Sequence, residues 1–493
     1  MSTTRGTAAV IGGGFAGLSV SAYLAKAGFR VGLFEKNDQI GGRARYWQHD
    51  GYRFDMGPSW YLMPEVFDRF FADAGRRRED YYDLKRLDPY YKVFFSPEES
   101  VTIGEDTAKT VALFNAFEPD GGTKLLRYLE QSRYKYDVAM RDFLYRDYRR
   151  LSDFFNPRML IEGSKLRVLS SLDKSVRRSF SDRRARQILE YAMVFLGTRP
   201  EEAPALYSIM SHVDMNLGVH YPAGGLAGVA QAMGVLAGEA GVEVRTNEPV
   251  TAICVERGRT TGVISGGREH RADIVVSAAD YPHTELELLG REHRTYNAGY
   301  WDRRTVAPSM FVAFLGVNKP LPRLCHHNLY FSEDWNEHFD AVFSAPSWPM
   351  NPCFYLSCIS RSEADAAPNG AENLFLLVPV ASGLDDDDET RESYFQHLIA
   401  HVERVTGETI QDAIAVKRLY SHRDFAADYN AYKGTALGLA HTLRQTAVFR
   451  PPRRSRKVRN LYFTGQYTHP GVGVPMTLIS SRVTAQAIER DST

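Results

Sequence analysis

Three glycines and one acid carry the first chemical signal in this chain. Residues 8–36 read AAVIGGGFAGLSVSAYLAKAGFRVGLFEK, in which Gly12, Gly14 and Gly17 form G-x-G-x-x-G. Gly12 permits a tight turn, Gly14 lets backbone approach a pyrophosphate, and Gly17 lets a helix and a strand pack closely. The helix that follows such a turn offers free N–H groups and partial positive charge to phosphate. Glu35 lies 18 residues after Gly17 and can accept hydrogen bonds from a ribose diol. The flanks agree, since Ala8–Ile11 reads as an apolar strand, Ser19–Ala27 as a helix and Phe29–Phe34 as a second strand. The stretch predicts a βαβ unit that binds a dinucleotide, with Phe15, Ala16 and Lys36 counted among its cofactor positions. A purely structural glycine turn is the alternative.

The elements that must hold this site follow along the chain. Gly41, Gly42 and Arg43 offer a second close backbone approach and a guanidinium suited to phosphate. Gly51–Met56 reads as a strand ending at Gly57, Pro58 and Ser59, although two hairpin turns would explain this region as well. From about Met63 to Met215 the pattern is mostly helical and amphipathic, as at Glu65–Ala74, Lys124–Tyr145 and Asp182–Phe195. Strand signals return at Val242–Arg245, Ala252–Val255, Thr261–Ile264 and Ala272–Ala279. Residues 281–415 mix strands (Met310–Val317, Cys353–Ser357, Asn373–Val380) with a helix near Glu392–Val405. The acidic run Leu384–Glu389 suits a solvated loop or helix N-terminus, not a metal site. The chain closes with a strand at Leu461–Thr464, a Gly/Pro loop at Gly465–Pro475 and a helix at Met476–Ile488. The fold class is therefore α/β with two interleaved lobes. Residues 1–62, 216–280 and 416–493 form the nucleotide lobe, 63–215 a helical substrate and membrane-associated region, and 281–415 a substrate-domain sheet.

Bulk properties narrow the partners. A chain of 493 residues is too long for one ordinary core. Lys plus Arg and Asp plus Glu number 60 each, so net charge gives no argument for nucleic acid. Cys254, Cys325, Cys353 and Cys358 lack zinc spacing and read as reduced or buried thiols, with no metal expected. No run of 18 apolar residues and no signal-peptide pattern is present, which predicts residence inside the cell. Tyr and Phe number 27 each, enough to line an apolar cavity, or simply to fill a core.

AVIGGGFAGLSVSAYLAKAG, EKNDQIGGRA, GYRFDMGPSWY and NLYFTGQYTHPGVGVP together resemble the bacterial and archaeal phytoene desaturases, FAD-dependent carotenoid desaturases of the flavin amine oxidase-like group. Segments 86–95, 205–225 and 424–446 extend the resemblance nearly end to end. It implies a Rossmann-like FAD-binding lobe of the glutathione reductase type, interleaved with a mixed sheet-plus-helix substrate lobe. By motif, Gly12, Gly14 and Gly17 would serve the pyrophosphate, Glu35 the ribose, and Gly42 and Arg43 the phosphate side. Gly57, Pro58 and Ser59 would lie near the isoalloxazine, and Val250 would contact adenine through its backbone. Gly465 and Gln466 would approach the phosphate–ribitol region. Gly473, Val474, Pro475 and Met476 would bring a helix N-terminus to the flavin, where it stabilises negative charge. Two departures stand out: Gln466 replaces an acid common in flavoproteins, and Ala223 replaces a basic residue found in some relatives.

The implied substrate is a C40 polyene, most simply phytoene, losing hydride to flavin N5 and a proton to a base or water. Alternatives are a later carotenoid desaturase acting on lycopene or a hydroxylated carotenoid, a carotene isomerase, an amine oxidase, or a prenyl-binding protein without FAD. The terminal acceptor would be oxygen or a quinone. His212, His220, His422, His441 and His469 lie in family-like segments, but no catalytic acid or base is assigned. Since the substrate dissolves in lipid, a peripheral, monotopic attachment is expected through residues 158–189, where nine Lys or Arg face three acids among apolar residues.

Overall fold

A computed structural model of the chain describes residues 5–148, 170–442 and 444–492. Thr7–Ile11 and Arg30–Phe34 pair in parallel and flank the first helix, Phe15–Lys26. Three short strands complete a five-stranded parallel sheet in the order Leu461–Phe463, Ile274–Ser277, Thr7–Ile11, Arg30–Phe34, Glu243–Arg245. Parallel strands are covered on both faces and so read as continuous apolar runs; Ile274–Ser277 (IVVS) is buried at every position. The sheet thus draws on the start, middle and end of the chain. The last helix, Val474–Asp491, packs on the first, with Leu18, Val20 and Leu24 sharing a core with Leu478, Ile479 and Val483. Val250–Glu256, Arg259–Ser265 and Arg268–Arg271 form a separate antiparallel sheet.

A seven-stranded mixed sheet builds the second lobe, in the order Ile414–Tyr420, Ser309–Val317, Glu372–Val380, Phe354–Ser357, His327–Tyr330, Tyr91–Phe94, Ser100–Ile103. Ser309–Val317 (SMFVAFLGV) is buried throughout, and its alternation divides two cores. Phe311, Leu315 and Val317 pack with Phe395, Leu398 and Val402 of the helix Asp388–Thr406. Met310, Val312 and Phe314 face an aromatic core shared with Phe375 and Tyr420.

Three expectations need correction. Residues 63–215 are not wholly helical. Tyr91–Phe94 runs parallel to His327–Tyr330 and Ser100–Ile103 forms the sheet edge, because Tyr91 and Val93 alternate with the half-exposed Lys92. The helix read over Lys124–Tyr145 spans Gly121–Val138 and passes into a wider turn at Ala139–Phe143. The acidic run does lie at a helix N-terminus, as expected, though it is only partly solvated. Asp387 caps the helix Asp388–Thr406 through the Thr390 N–H, while Asp386 is buried against Arg391 at 2.6 Å.

Of the basic stretch 158–189, residues 158–169 lie outside the described part. The remainder is not one amphipathic helix but two short ones, Leu172–Arg177 and Arg183–Glu190. Leu172, Val176, Phe180, Ile188 and Leu189 point into the aromatic core, so they are not open to a bilayer. Lys174, Arg177 and Arg178 stay exposed. Among the described residues no helix is long and apolar enough to cross a membrane, and no group of acids, histidines and cysteines is arranged to hold a metal. The four cysteines are free.

Candidate functional site

At the glycine turn, Gly12 takes φ +96° and its N–H donates to the Phe34 carbonyl at 2.8 Å. A Cβ at Gly17 would stand 1.8 Å from the Gly12 carbonyl oxygen, so this glycine sets how closely the first helix seats on the turn. The helix begins at Gly14 with no capping side chain and no acid in its first turn, leaving its N–H groups and positive end unanswered by the protein. The second glycine pair closes on the first. The Gly41 N–H donates to the Gly13 carbonyl at 2.8 Å, and a Cβ at Gly42 would lie 3.1 Å from Gly14 Cα. Glu35 is buried at this turn and accepts from the N–H groups of Gly13 (2.7 Å) and Asn37 (2.9 Å).

Arg43 leans over the same space. Its Nε is buried without a hydrogen-bond partner among the described residues. With the Gln466 amide turned to present its oxygen, Nη1 and Nη2 each lie 3.3 Å from it. A neutral amide that accepts from Arg43 does not cancel the guanidinium's charge as an acid in that place would; the acid within reach of its charge is Asp280.

The far end of the site is built by the last Gly/Pro loop. Gly473, at φ +116°, starts the helix Val474–Asp491, again with no capping side chain and no acid in the first turn. Pro475 brings no N–H, so the Val474 and Met476 N–H groups are the free donors at this end. Ser59 sits opposite in a polar chain: Tyr355 Oη donates to Ser59 Oγ at 2.9 Å, and His327 Nδ1 lies 2.7 Å from Tyr355 Oη. Burial holds His327 neutral, far below the usual histidine range, and because Tyr355 gives its one hydrogen to Ser59, Nδ1–H is the donor in this pair.

These parts line one continuous cavity of about 980 Å³, at the upper end of the usual range for ligand sites. All the sequence-predicted positions border it except Gly17, whose part is the packing just described. Val250 borders it from the antiparallel sheet. Beyond the glycines the cavity opens into a chamber walled by Tyr191, Met210, Val213, Val312, Phe375 and Leu377. Of the five histidines, only His441 and His469 reach the cavity. His441 is engaged on both nitrogens, by Tyr207 Oη and by the Val472 N–H at 3.0 Å. His469 Nε2 faces the Phe143 carbonyl, and burial pushes its pKa down to about 3.

One carboxyl in the chamber had no signal in the sequence. Asp214, 3% exposed, accepts from Tyr191 Oη (2.9 Å) and Tyr91 Oη (3.1 Å), and burial pushes its pKa up to about 7. Its tyrosine partners come from remote segments, so only the folded chain assembles the group.

FAD fits this cavity by its donors. Two uncapped helix N-termini, the guanidinium of Arg43 and a glycine cradle border it, as an anionic dinucleotide requires. Residues 15–489 match the family described as flavin containing amine oxidoreductase. A carotenoid 3,4-desaturase of Haloarcula japonica is 44% identical over 484 residues, covering 98% of each chain. A zeta-carotene-forming phytoene desaturase of Myxococcus xanthus is 34% identical over 487 residues, 97% of this chain and 93% of that one. The solved structure of an oxidoreductase from Methanosarcina mazei shares the fold with a TM-score of 0.64 at 17% identity, covering 98% of this chain and 100% of that one. Matched along nearly its whole length by enzymes that desaturate carotenoids, the chain belongs to that family of flavin-containing oxidoreductases, uses FAD and acts on CH–CH bonds.

Proposed function

We propose that the protein desaturates a long carotenoid held in the aromatic chamber, transferring hydride from carbon to flavin N5. The observation that carries this reading is the continuity of the cavity from the glycine cradle into an apolar chamber. Carbon-bound hydrogens of a polyene are nearly non-acidic, so the flavin supplies the redox chemistry and the protein supplies alignment and exclusion of water. The chamber's apolar wall argues against an amine oxidase, which needs polar groups around its substrate.

In this reading the pyrophosphate rests on Gly12, Gly14, Phe15 and Ala16 at the first helix, with Gly42 and Arg43 on its other side. Glu35 and Lys36 flank the ribose, and Val250 the adenine. Gly57, Pro58 and Ser59 face the ring system across from Val474, Pro475 and Met476, while Gly465 and Gln466 meet the ribitol side. Gly17 acts by seating the helix. Residues 1–62, 216–280 and 416–493 serve the cofactor, and 63–215 with 281–415 serve the substrate.

The 44% relative favours desaturation at the 3,4 position of a carotenoid; the 34% relative favours phytoene, the substrate the sequence resemblance suggested. The greater identity puts the 3,4-desaturation first. Attachment to a membrane surface would deliver such a substrate, and the exposed Lys174, Arg177 and Arg178 suit anionic lipid. Oxygen or a membrane quinone would reoxidise the flavin. The test is to incubate FAD-loaded protein in liposomes with phytoene and, separately, with lycopene or a hydroxylated carotenoid, and to separate products by chromatography with diode-array detection. A red-shifted polyene from the later carotenoid alone supports 3,4-desaturation, and one from phytoene supports the second reading. No new chromophore from any of them refutes both.

A further inference from the structure

We propose that Arg450 supplies, from behind the cavity wall, the fixed positive charge that faces the negative charge the flavin ring gains on reduction. This rests on the reading of the last Gly/Pro loop as the flavin side of the cavity. Arg450 is 4% exposed, and its guanidinium donates to four backbone carbonyls. Nε reaches Tyr467 at 3.3 Å, Nη1 reaches Gln445 at 3.1 Å, and Nη2 reaches Leu439 at 3.2 Å and Gln466 at 2.6 Å. No acid pairs with it among the described residues. Arg453, three residues on in the same RPPRR segment, is the contrast. It is 5% exposed, and Asp147 answers its charge at 2.9 Å. A buried cation is costly unless paired and hydrogen-bonded. Carbonyl dipoles hold Arg450 in place, yet burial still pushes its pKa down to about 10, which leaves it charged and short of a counter-charge.

The surroundings fix where that counter-charge belongs. Gln466 and Tyr467, whose carbonyls Arg450 holds, line the cavity. A Cβ at Gly471 would lie 3.3 Å from Arg450 Cζ and 2.3 Å from His441 Cε1, so guanidinium and imidazole press on the same point of the loop. His441 borders the cavity and accepts the Val472 N–H, next to Gly473, where the uncapped helix Val474–Asp491 begins. A helix N-terminus and an unpaired guanidinium therefore bear on one end of the cavity. The diphosphate has its own donors, at the first glycine turn and Arg43. Burial, and after it the charge of Arg450, keeps His441 unprotonated, so the field of the guanidinium reaches the cavity wall. The titratable groups facing Arg450, which are Tyr207, Tyr467, His441 and His469, are all neutral near pH 7. Asp280 meets this group through the Tyr467 hydroxyl and lies under the charge of Arg43.

The redox step balances. One C–H bond breaks and its electron pair moves with the hydrogen, as hydride, to N5, which leaves the ring one negative charge richer. The neighbouring carbon loses its proton to water, and the pair left behind becomes the new π bond. Oxygen or a quinone takes the two electrons at reoxidation. A cation already fixed behind the loop favours hydride uptake without touching the substrate.

The experiment measures the midpoint potential of bound FAD in wild type, Arg450→Gln and Arg450→Lys at pH 7, by anaerobic reduction against a reference dye. The dissociation constant of oxidised FAD and the apoprotein's Tm are measured beside it. Arg450→Gln should shift the reduction equilibrium about tenfold or more toward oxidised flavin, about 30 mV for a two-electron couple. Arg450→Lys loses the fork of carbonyl bonds and keeps the charge. It should melt lower, as Arg450→Gln does, and yet hold the equilibrium within threefold of wild type. A mere staple of carbonyls would lower Tm in both variants and move the potential in neither. An unmoved potential in Arg450→Gln, or an equal shift in Arg450→Lys, overturns the proposal. So does a tenfold loss of affinity for oxidised FAD with the potential kept, which would mean that the charge answers the diphosphate. If neither variant holds flavin, the wild type decides. Its potential should fall by about 30 mV per pH unit between pH 5.5 and 7, one proton accompanying two electrons, and a slope of about 60 mV overturns the proposal. None of these measurements uses the polyene, whose conversion by wild type tests the proposed function by itself.

Discussion

Gly17→Ala should cost the protein its flavin although residue 17 does not border the cavity. A Cβ there falls 1.8 Å from the Gly12 carbonyl oxygen and 3.0 Å from its carbon, both backbone atoms of the turn. Non-bonded contacts settle near 3.5–4.0 Å, so helix and turn must separate by roughly 1.5 Å. The helix has no room to retreat, because Leu18, Val20 and Leu24 are fully buried against the last helix. Overpacking of this kind costs about 1–3 kcal/mol of stability. The same separation withdraws the Gly14 end from any bound phosphate. Each lost hydrogen bond to a charged group is worth about 1.5–3 kcal/mol, roughly ten- to a hundredfold in affinity. Titration of apoprotein with FAD, followed by flavin fluorescence, should show that loss, and melting of the apoprotein should show a lower Tm. Gly238→Ala is the control: an exposed helical glycine with nothing within 4 Å of an added Cβ, where alanine should stabilise by about 0.5–1 kcal/mol and leave FAD affinity unchanged. A Gly17→Ala protein with wild-type FAD affinity and Tm would refute the argument that this glycine sets the site through packing.

Arg43→Ala should raise the FAD dissociation constant by about ten- to a hundredfold, while the apoprotein's Tm falls by only a few degrees, because the guanidinium's contacts in the fold are the neutral Gln466 amide and the Tyr429 ring. Equilibrium titration and melting separate the two effects. Glu190 is buried with Oε1 unpartnered, and burial followed by the Asp173 charge pushes its pKa up to about 8. A carboxyl raised in this way is comfortable only when protonated, so the wild type loses stability as pH climbs from the unfolded value near 4.5 through 8. The Tm advantage of Glu190→Gln should therefore be small at pH 5 and grow toward pH 8.5; a pH-independent difference would refute the linkage. Replacing Lys174, Arg177 and Arg178 with Glu should weaken binding to anionic liposomes by about a hundredfold or more, at roughly 1 kcal/mol per charge. Flotation at low salt would show it, and unchanged flotation would exclude this face.

How far the sequence carried the site depends on how local each part is. The glycine turn was legible because its steric demand is written within one βαβ unit: Gly12 needs positive φ, Gly17 needs no side chain, and Glu35 follows at the end of the next strand. The Gly41–Arg43 and Gly465–Met476 segments were legible through resemblance, each a backbone loop rather than a scattered set of side chains. The helical reading of 63–215 erred where tertiary pairing overrides local pattern. The strand Tyr91–Phe94 has a partner more than two hundred residues away, at His327–Tyr330, and no window of sequence contains that pairing. The basic stretch erred for a related reason. Amphipathicity shows that a face is apolar, not whether lipid or protein covers it; at Leu172, Val176 and Phe180 protein does.

Asp214 marks the limit of that kind of reading. In the sequence it is one acid in SHVDMNLG, at a helical position with nothing to distinguish it from a solvated residue. What sets it apart is the pairing of Oδ2 with two tyrosines that lie 123 and 23 residues away, and the burial that pushes its pKa up. The cofactor site is read from backbone requirements, which leave glycines at fixed spacing. A buried carboxyl with a raised pKa depends on desolvation, which leaves no motif because any fold that buries a carboxyl can produce it. Among carotenoid desaturases the flavin loops should therefore be readable one chain at a time. The residues that decide where on the polyene hydrogen is lost must instead be found from which side chains line the chamber.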